Sequence, residues 1–298
     1  MNDAEFRRRR EKLRRKWKDF RSGKELMIDV LRSKPYPLIL CSFSGGRDSL
    51  AATLLTLDAL EELGIEHRCH IVFNNTTNEF PETVRYVRRM FDWFQHSYPD
   101  LNIKTVETFP KVKFADLKEE MFYVAVKMYA EGRWDKSKLV CCDMVKLDPI
   151  RRFLRHHTIN VIVSGLRGDE SRQRYLSVFF HSPIQKGIHK PIYSFNKRGG
   201  VKVIPLWDWS AQDVQHFLEN HPKRPPLNPL YQRGATSIGC MLCPIPFIFN
   251  KEEIRAYYPK KLYDYGLSLL RKALERTGQT LITSYTDYDL MKKEILES

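Results

Sequence analysis

A chain of 298 residues, 42% hydrophobic and 29% charged, has enough apolar material for one sizeable globular core and too much of it for a disordered segment. No apolar run approaches the ~18–20 residues that cross a bilayer, and the start, Met1 to Arg21, lacks the apolar stretch of a secretory leader. A cytoplasmic protein without membrane contact is therefore expected, and its formal net charge of +14 suits a polyanionic partner or a highly charged nucleotide.

The first segment, residues 1–34, is basic: Arg7-Arg8-Arg9-Arg10, then Lys12, Arg14, Arg15, Lys16, Lys18 and Arg21. Phe6, Leu13, Trp17 and Phe20 fall among these charges at loose helical spacing. Such a helix can lie on phosphates, or dock a protein through its aromatic side with its charges merely solvated. After Pro35-Tyr36-Pro37, Leu38 to Phe43 reads as a buried strand, and Leu50 to Leu63 as a helix closed by Gly64. Arg68 to Phe73 gives a second strand, Glu82 to about Tyr98 a helix, Ile103 to Glu107 a third strand, and Asn160 to Ser164 a fourth. Strands alternating with helices predict a doubly wound, mostly parallel α/β domain over residues 35–235. Ligands in such sheets bind beyond the carboxyl ends of the strands. From Lys202 the chain reads as irregular and proline-rich; residues 236–298 are a cysteine-bearing loop and a helical tail from Lys251 to Glu297.

Between the first strand and its helix stands Ser44-Gly45-Gly46-Arg47-Asp48-Ser49. Glycines let backbone approach phosphate oxygens, and the helix start adds free N–H groups and a favourable dipole. The spacing matches neither the dinucleotide fingerprint nor the Walker loop, which ends G-K-S/T. Of six cysteines, Cys141-Cys142 and Cys240-x-x-Cys243 form two pairs separated by about a hundred residues. Two thiolate pairs make a four-sulfur site for zinc or for a cubane iron–sulfur cluster. Cys41 and Cys69 fall in strands and read as core. His156, His157, His181 and His189 read as surface or satisfied polar groups rather than ligands.

The glycine loop resembles the PP-loop, S-G-G-x-D-S, of the ATP pyrophosphatase superfamily, whose fold is that of the adenine nucleotide α-hydrolases. By that resemblance Ser44, Gly45, Gly46, Arg47, Asp48 and Ser49 bind ATP, with Mg2+ bridging phosphates. The cysteine surroundings resemble the phosphoadenosine phosphosulfate reductase family: Leu139-Val140-Cys141-Cys142 followed by Lys146, and Ser237-Ile238-Gly239-Cys240-Met241-Leu242-Cys243. In cluster-bearing members such a set holds a 4Fe-4S cluster, which assigns Cys141, Cys142, Cys240 and Cys243 as ligands. Phe80-Pro81-Glu82-Thr83 is similar to the family's F-P-E-T, and Gly165-Leu166-Arg167 with Glu170, Ser171 and Arg172 to its G-x-R-x-x-E-S. The resemblance implies that Gly165, Arg167 and Arg172 meet phosphate or sulfate oxygens, a task the planar arginine fork suits. Pro205 to Ser210 and Asn228-Pro229-Leu230-Tyr231 agree as well.

Two departures bear on function. The reductases attack with a cysteine in an E-C-G-L-H tail, whereas the last cysteine here is Cys243; the family's D-T-G is Asn75-Thr76-Thr77. Loop, four cysteines and tail together resemble the PP-loop subunit of DNA phosphorothioation systems. That resemblance implies an adenylating sulfur-transfer enzyme with Asp48, Arg167 and Arg172 at the reaction, a cysteine desulfurase and other modification subunits as partners, and DNA favoured over tRNA as acceptor. A tRNA thiolase, a sulfonucleotide reductase and a non-catalytic nucleotide- and cluster-binding sensor are the rival readings, and a homodimer is compatible with each.

If the basic segment contacts backbone phosphates, duplex DNA affinity falls linearly on a log–log salt plot with a slope of about −0.9 per phosphate neutralised. Replacing Arg7 to Arg10 by alanine is expected to flatten that slope by several units. An unchanged slope, with loss of a protein partner after Trp17→Ala, would assign the segment to protein docking instead.

Overall fold

The computed structural model describes residues 23–33, 38–64, 68–131, 140–170, 174, 184–185, 188–189, 191–195, 199–249 and 253–279. The basic segment before Gly23, together with Arg172 and His181, lies outside the described residues.

A six-stranded sheet forms the centre, in the order β3-β2-β1-β4-β8-β7. Its strands are β1 (Leu38–Ser42), β2 (Arg68–Asn74), β3 (Ile103–Thr108), β4 (Val161–Val163), β7 (Ile192–Ser194) and β8 (Val201–Val203). All pair in parallel except β7, which runs antiparallel to β8 at the edge. A separate short ribbon pairs β5 (Ile184–Gln185) with β6 (Ile188–His189), where His189 sits. The unbroken apolar runs of β1 and β2 are those of strands covered on both faces. Asn160 pins β4 onto β1, its side-chain oxygen accepting the Leu38 N–H at 2.9 Å while its own N–H donates to the Leu38 carbonyl. The chain builds β1, β2 and β3 outward on one side, then returns to the other side of β1 for β4. The doubly wound reading therefore holds, and the point of reversal lies between β1 and β4.

Helix α1 (Gly23–Ser33) and α2 (Arg47–Leu63) pack together, and α2 buries Leu50, Ala51, Leu54, Leu55, Leu57 and Leu60. Thr53 and Thr56 are buried inside α2 and stay satisfied by donating to the Ser49 and Ala52 carbonyls at 2.8 Å. Helix α3 (Pro81–Ser97) starts on a proline at its first turn, one residue earlier than the sequence suggests. Cys41 and Cys69 are 1% and 0% exposed and face each other across β1 and β2 with sulfurs 3.8 Å apart, as core residues.

Several elements differ from the sequence reading. Helix α4 (Phe114–Ala130) has no capping side chain at Lys113 to announce it. A π-helical turn, Cys142–Leu147, leads into α5 (Asp148–His156). The stretch after Lys202 is less irregular than expected: Ser210 and Asp213 form a reciprocal capping box that starts α6 (Ala211–Glu219). Up to Gln279 the tail is helical in pieces, α7 (Pro244–Ile248), α8 (Glu253–Tyr257) and α9 (Lys260–Thr277), and the rest of the expected helical tail lies outside the described residues. Helix α9 packs on α4, and with the cysteine loop they share a second core around Phe80, Phe122, Leu230, Leu242 and Phe247.

His70 on β2 is 6% exposed and faces Phe153 and His157 of the α5 region at ring distances of 5.8 and 5.6 Å. Burial holds its pKa below the ordinary value, and the charges of His157, Lys104 and Arg68 add to this. A group depressed in the folded state contributes stability above its unfolded pKa of about 6.5 and loses it as pH falls below that. His70→Leu is therefore expected to flatten the fall in unfolding free energy between about pH 7 and 5, by at most the one-proton limit of about 1.4 kcal/mol per pH unit. Urea titrations across that range test it; identical slopes would show that His70 carries no proton linkage.

Candidate functional site

The Ser44–Ser49 loop leaves β1 and enters α2 through backbone that the sequence has prepared. Gly45 sits at φ +80°, and a Cβ there would meet Val87 at 3.0 Å and Thr83 at 3.1 Å. Inside the loop, the Ser49 hydroxyl donates to the Gly46 carbonyl at 2.9 Å and accepts the Ser44 N–H at 3.1 Å, with the Ser44 hydroxyl also 3.1 Å away. The two serines thus brace the turn as well as offering hydroxyls to a ligand. The loop is held from outside by Asn228, 1% exposed, whose amide donates to the Gly45 carbonyl and the Thr83 hydroxyl. Tyr231 accepts the Arg47 N–H at 3.0 Å, and the Arg47 guanidinium stacks 4.3 Å above the Tyr231 ring. This Asn228–Tyr231 turn is read from the sequence only as similarity; its offset from the loop, more than 180 residues, gives no local sign that it holds the loop.

Gly165 and Arg167 come to the same place from β4. A Cβ on Gly165 would stand 2.5 Å from the Asp48 carbonyl oxygen, so glycine is required there by the packing of the β4 loop on the start of α2. Arg167, with its side chain only 11% exposed, is an ion-pair partner of Asp48 at 3.1 Å and of Asp169. Its backbone N–H donates to the Glu170 carboxylate, which in turn pairs with Arg174. The structure thus brings Asp48 and Arg167 together beside the loop as a charge-balanced cluster rather than as a bare cation.

The two cysteine pairs meet on the other side. Cys141 and Cys142 lie at the entry to the π-helical turn, and Cys240 to Cys243 form a tight turn closed by the Cys243 N–H on the Cys240 carbonyl. All six cysteines are free of disulfides. The Cys141 thiol is pushed far up, first by its hydrogen bond with Cys142, then by burial and by the charges of Cys142, Cys243 and Cys240. Burial pushes Cys240 up to about 11, opposed by the Lys146 ammonium. Lys146 in turn is held charged, chiefly by Cys240 and then by Cys142, Glu79 and Cys243, against its own burial. Glu79, raised by burial, accepts the Thr76 hydroxyl at 2.7 Å, and that hydroxyl lies 3.9 Å from the Cys240 sulfur.

Four thiols with an apolar backing of Leu242, Phe247 and Tyr258 make a soft, water-poor donor set, which is what iron–sulfur chemistry asks for. Among the described residues no three His, Cys, Asp or Glu side chains converge as a single ion requires. A zinc ion wants every sulfur about 2.3 Å from one point, whereas a cubane attaches each thiolate to a different iron, around a larger volume.

A cleft at the carboxyl ends of β1 and β2 is lined by residues of both sites. Ser44 and Cys240 both line it, and Asn74, Thr76, Glu79 and Lys146 add to its polar lining. The Asn74 amide donates to the Val145 and Lys146 carbonyls at 3.0 Å and so ties the π-helical turn to the end of β2. Of the remaining expectations, His156 is exposed, and His157 stacks on Phe153 with its Nδ1 against the Phe153 carbonyl.

The two loop glycines that face the site separate packing from ligand space. Gly165→Ala is expected to cost about 1–3 kcal/mol, the range for a forced backbone shift. Gly46→Ala, whose Cβ would find only ordinary contacts at 3.5 Å, costs clearly less. Urea unfolding followed by circular dichroism measures both; equal losses would refute the assigned packing role of Gly165.

Residues 38–246 match the phosphoadenosine phosphosulfate reductase domain. An uncharacterized protein of Methanocaldococcus jannaschii is 28% identical over 244 residues, covering 80% of this chain and 42% of that protein. An adenosine 5'-phosphosulfate reductase of Bacillus cereus is 27% identical over 176 residues, covering 59% and 62%. The chain thus spans about half the length of the curated relatives it matches. Among solved structures, a phosphoadenylyl-sulfate reductase from Candida auris in a phosphate complex aligns with TM-score 0.44 and 20% identity, covering 74% of this chain and 88% of that one. A U34-tRNA thiolase from Methanococcus maripaludis with its 4Fe-4S cluster aligns at 0.42 and 16%, covering 85% and 77%. No helix among the described residues is long and apolar enough to cross a membrane. With the matched domain covering most of the chain, from the first strand of the sheet to beyond Cys243, this protein belongs to the phosphoadenosine phosphosulfate reductase family.

Proposed function

We propose that this protein uses ATP to adenylate an oxygen of a nucleic acid and then replaces that oxygen with sulfur, as in DNA phosphorothioation. The observation that carries this reading is a cleft lined both by Ser44, the first residue of the glycine loop, and by Cys240 of the second cysteine pair. Activation and sulfur delivery can then act on one bound acceptor, which is what an adenylate intermediate, easily lost to water, demands.

In this reading the pyrophosphate of ATP–Mg2+ sits on Ser44 to Ser49. The acceptor oxygen attacks the α-phosphorus, the bond from that phosphorus to the α–β bridging oxygen breaks, and pyrophosphate leaves. Loop N–H groups, Arg47 and Arg167 stabilise the charge that develops on it, Arg167 after exchanging a carboxylate partner for phosphate oxygen. A sulfur nucleophile then bonds to the acceptor atom, and AMP departs with the electron pair of the broken bond. Cys141, Cys142, Cys240 and Cys243 would hold a 4Fe-4S cluster, which supplies a sulfur-binding and redox-active centre beside the acceptor. Lys146, charged and facing the cleft, positions anionic groups between the two sites. The sulfur comes from the persulfide of a cysteine desulfurase partner, its S–S bond being cleaved by two electrons from a thiol reductant, and further subunits of the modification system select the DNA. The +14 net charge supports a nucleic-acid acceptor. Transfer RNA is the alternative acceptor.

A second reading, reduction of a sulfonucleotide, is favoured by the 27% identity to adenosine 5'-phosphosulfate reductases. A non-catalytic sensor is the third. Incubation with ATP and Mg2+, with DNA or tRNA as acceptor, separates all three. The expected products are AMP and pyrophosphate, abolished by Asp48→Ala. ADP with orthophosphate, or efficient sulfite release from adenylyl sulfate, would overturn the proposal; no turnover with either substrate would leave the sensor.

A further inference from the structure

The loop Asn75 to Glu79, where this chain departs from its family, grips the second cysteine pair through one residue. Asn78 is 2% exposed. Its backbone carbonyl accepts the Met241 N–H at 2.6 Å, and its side-chain oxygen accepts the Leu242 N–H at 3.0 Å. These are the two backbone amides in the turn between Cys240 and Cys243. Asn78 therefore takes both donors away from sulfur. With its oxygen committed to Leu242, the amide nitrogen occupies the opposite edge of the same carboxamide plane. That nitrogen is buried and has no hydrogen-bond partner. A buried N–H left unpaired costs about 1–3 kcal/mol, and such groups in native proteins ordinarily mark a missing acceptor.

We infer that the Asn78 side-chain N–H donates to sulfur of the cluster held by Cys141, Cys142, Cys240 and Cys243, replacing the backbone donors it has sequestered. The inference rests on the cluster reading of these cysteines. Its consequence is electronic: a hydrogen bond to cluster sulfur stabilises the more negative, reduced state and raises the reduction potential. Asn78 is a positioning and tuning residue, acting through the cluster.

The test uses the full chain purified without oxygen. Asn78→Leu is neutral and close in size, so it removes the donor without adding charge. Its cluster midpoint, from an EPR-monitored redox titration, is expected to be more negative than that of the wild type, at unchanged iron per chain. Resonance Raman iron–sulfur bands should shift in D2O for the wild type and lose that part of the shift in the variant. If Asn78→Leu fails to load, Asn78→Asp keeps the acceptor for Leu242, and loss of the D2O shift becomes the readout. Wild-type protein that is brown with a midpoint and D2O shift unchanged by either substitution would overturn this inference alone. Colourless wild-type protein without iron would overturn the cluster reading, and this inference with it.

Discussion

The backbone of Gly165 lies against the first turn of α2, where a Cβ would reach within 2.5 Å of the Asp48 carbonyl. That close approach exists because β4 pairs directly with β1 at the point where the sheet reverses its winding. It delivers Arg167 to Asp48 and seats the phosphate loop between two strand ends. A side chain at residue 165 would push the β4 loop off the helix start, and the charge cluster beside the loop would come apart. The strand order and the glycine are thus two halves of one constraint.

On the opposite side, the loop depends on residues contributed late in the chain. Asn228 and Tyr231 bind the Gly45 carbonyl and the Arg47 N–H, and the Arg47 guanidinium reaches on to the Thr236 carbonyl, four residues before Cys240. The connection from phosphate loop to cysteine turn is therefore short and made of hydrogen bonds. Asn78 anchors the far side of the same turn.

The arginines illustrate how burial grades availability. Arg88 with Glu107, Arg151 with Asp143 and Arg233 with Glu82 are pairs whose arginines are at least half exposed. Such pairs are worth ~0–1 kcal/mol, so a polyanion can take the arginine at little cost. Arg167, nearly enclosed between Asp48 and Asp169, is held by charges that water screens poorly. The outer arginines can exchange partners freely, while Arg167 stays bound between its two carboxylates.

Much was legible in the sequence because its signals are local. Strand β1, the Ser44–Ser49 loop and helix α2 follow one another within a single run, and each is written in apolar spacing, glycine and helix start. The parallel α/β class follows from the alternation, and the two cysteine pairs announce soft-metal chemistry by composition. Strands β7 and β8, three residues each, are too short for any period to show, and α4 lacks a capping side chain. The capping box at Ser210 and Asp213 was a readable mark of α6 that similarity alone had absorbed. What only the tertiary structure decided is convergence: Gly165 on Asp48, Asn228 on Gly45, Asn78 on the Cys240–Cys243 turn, and one cleft lined by both Ser44 and Cys240. Residue type and spacing carry chemistry and local geometry, since those depend on neighbours within a few bonds. Contacts across more than a hundred residues depend on how whole layers bury their apolar faces, and no short stretch of sequence encodes that sum.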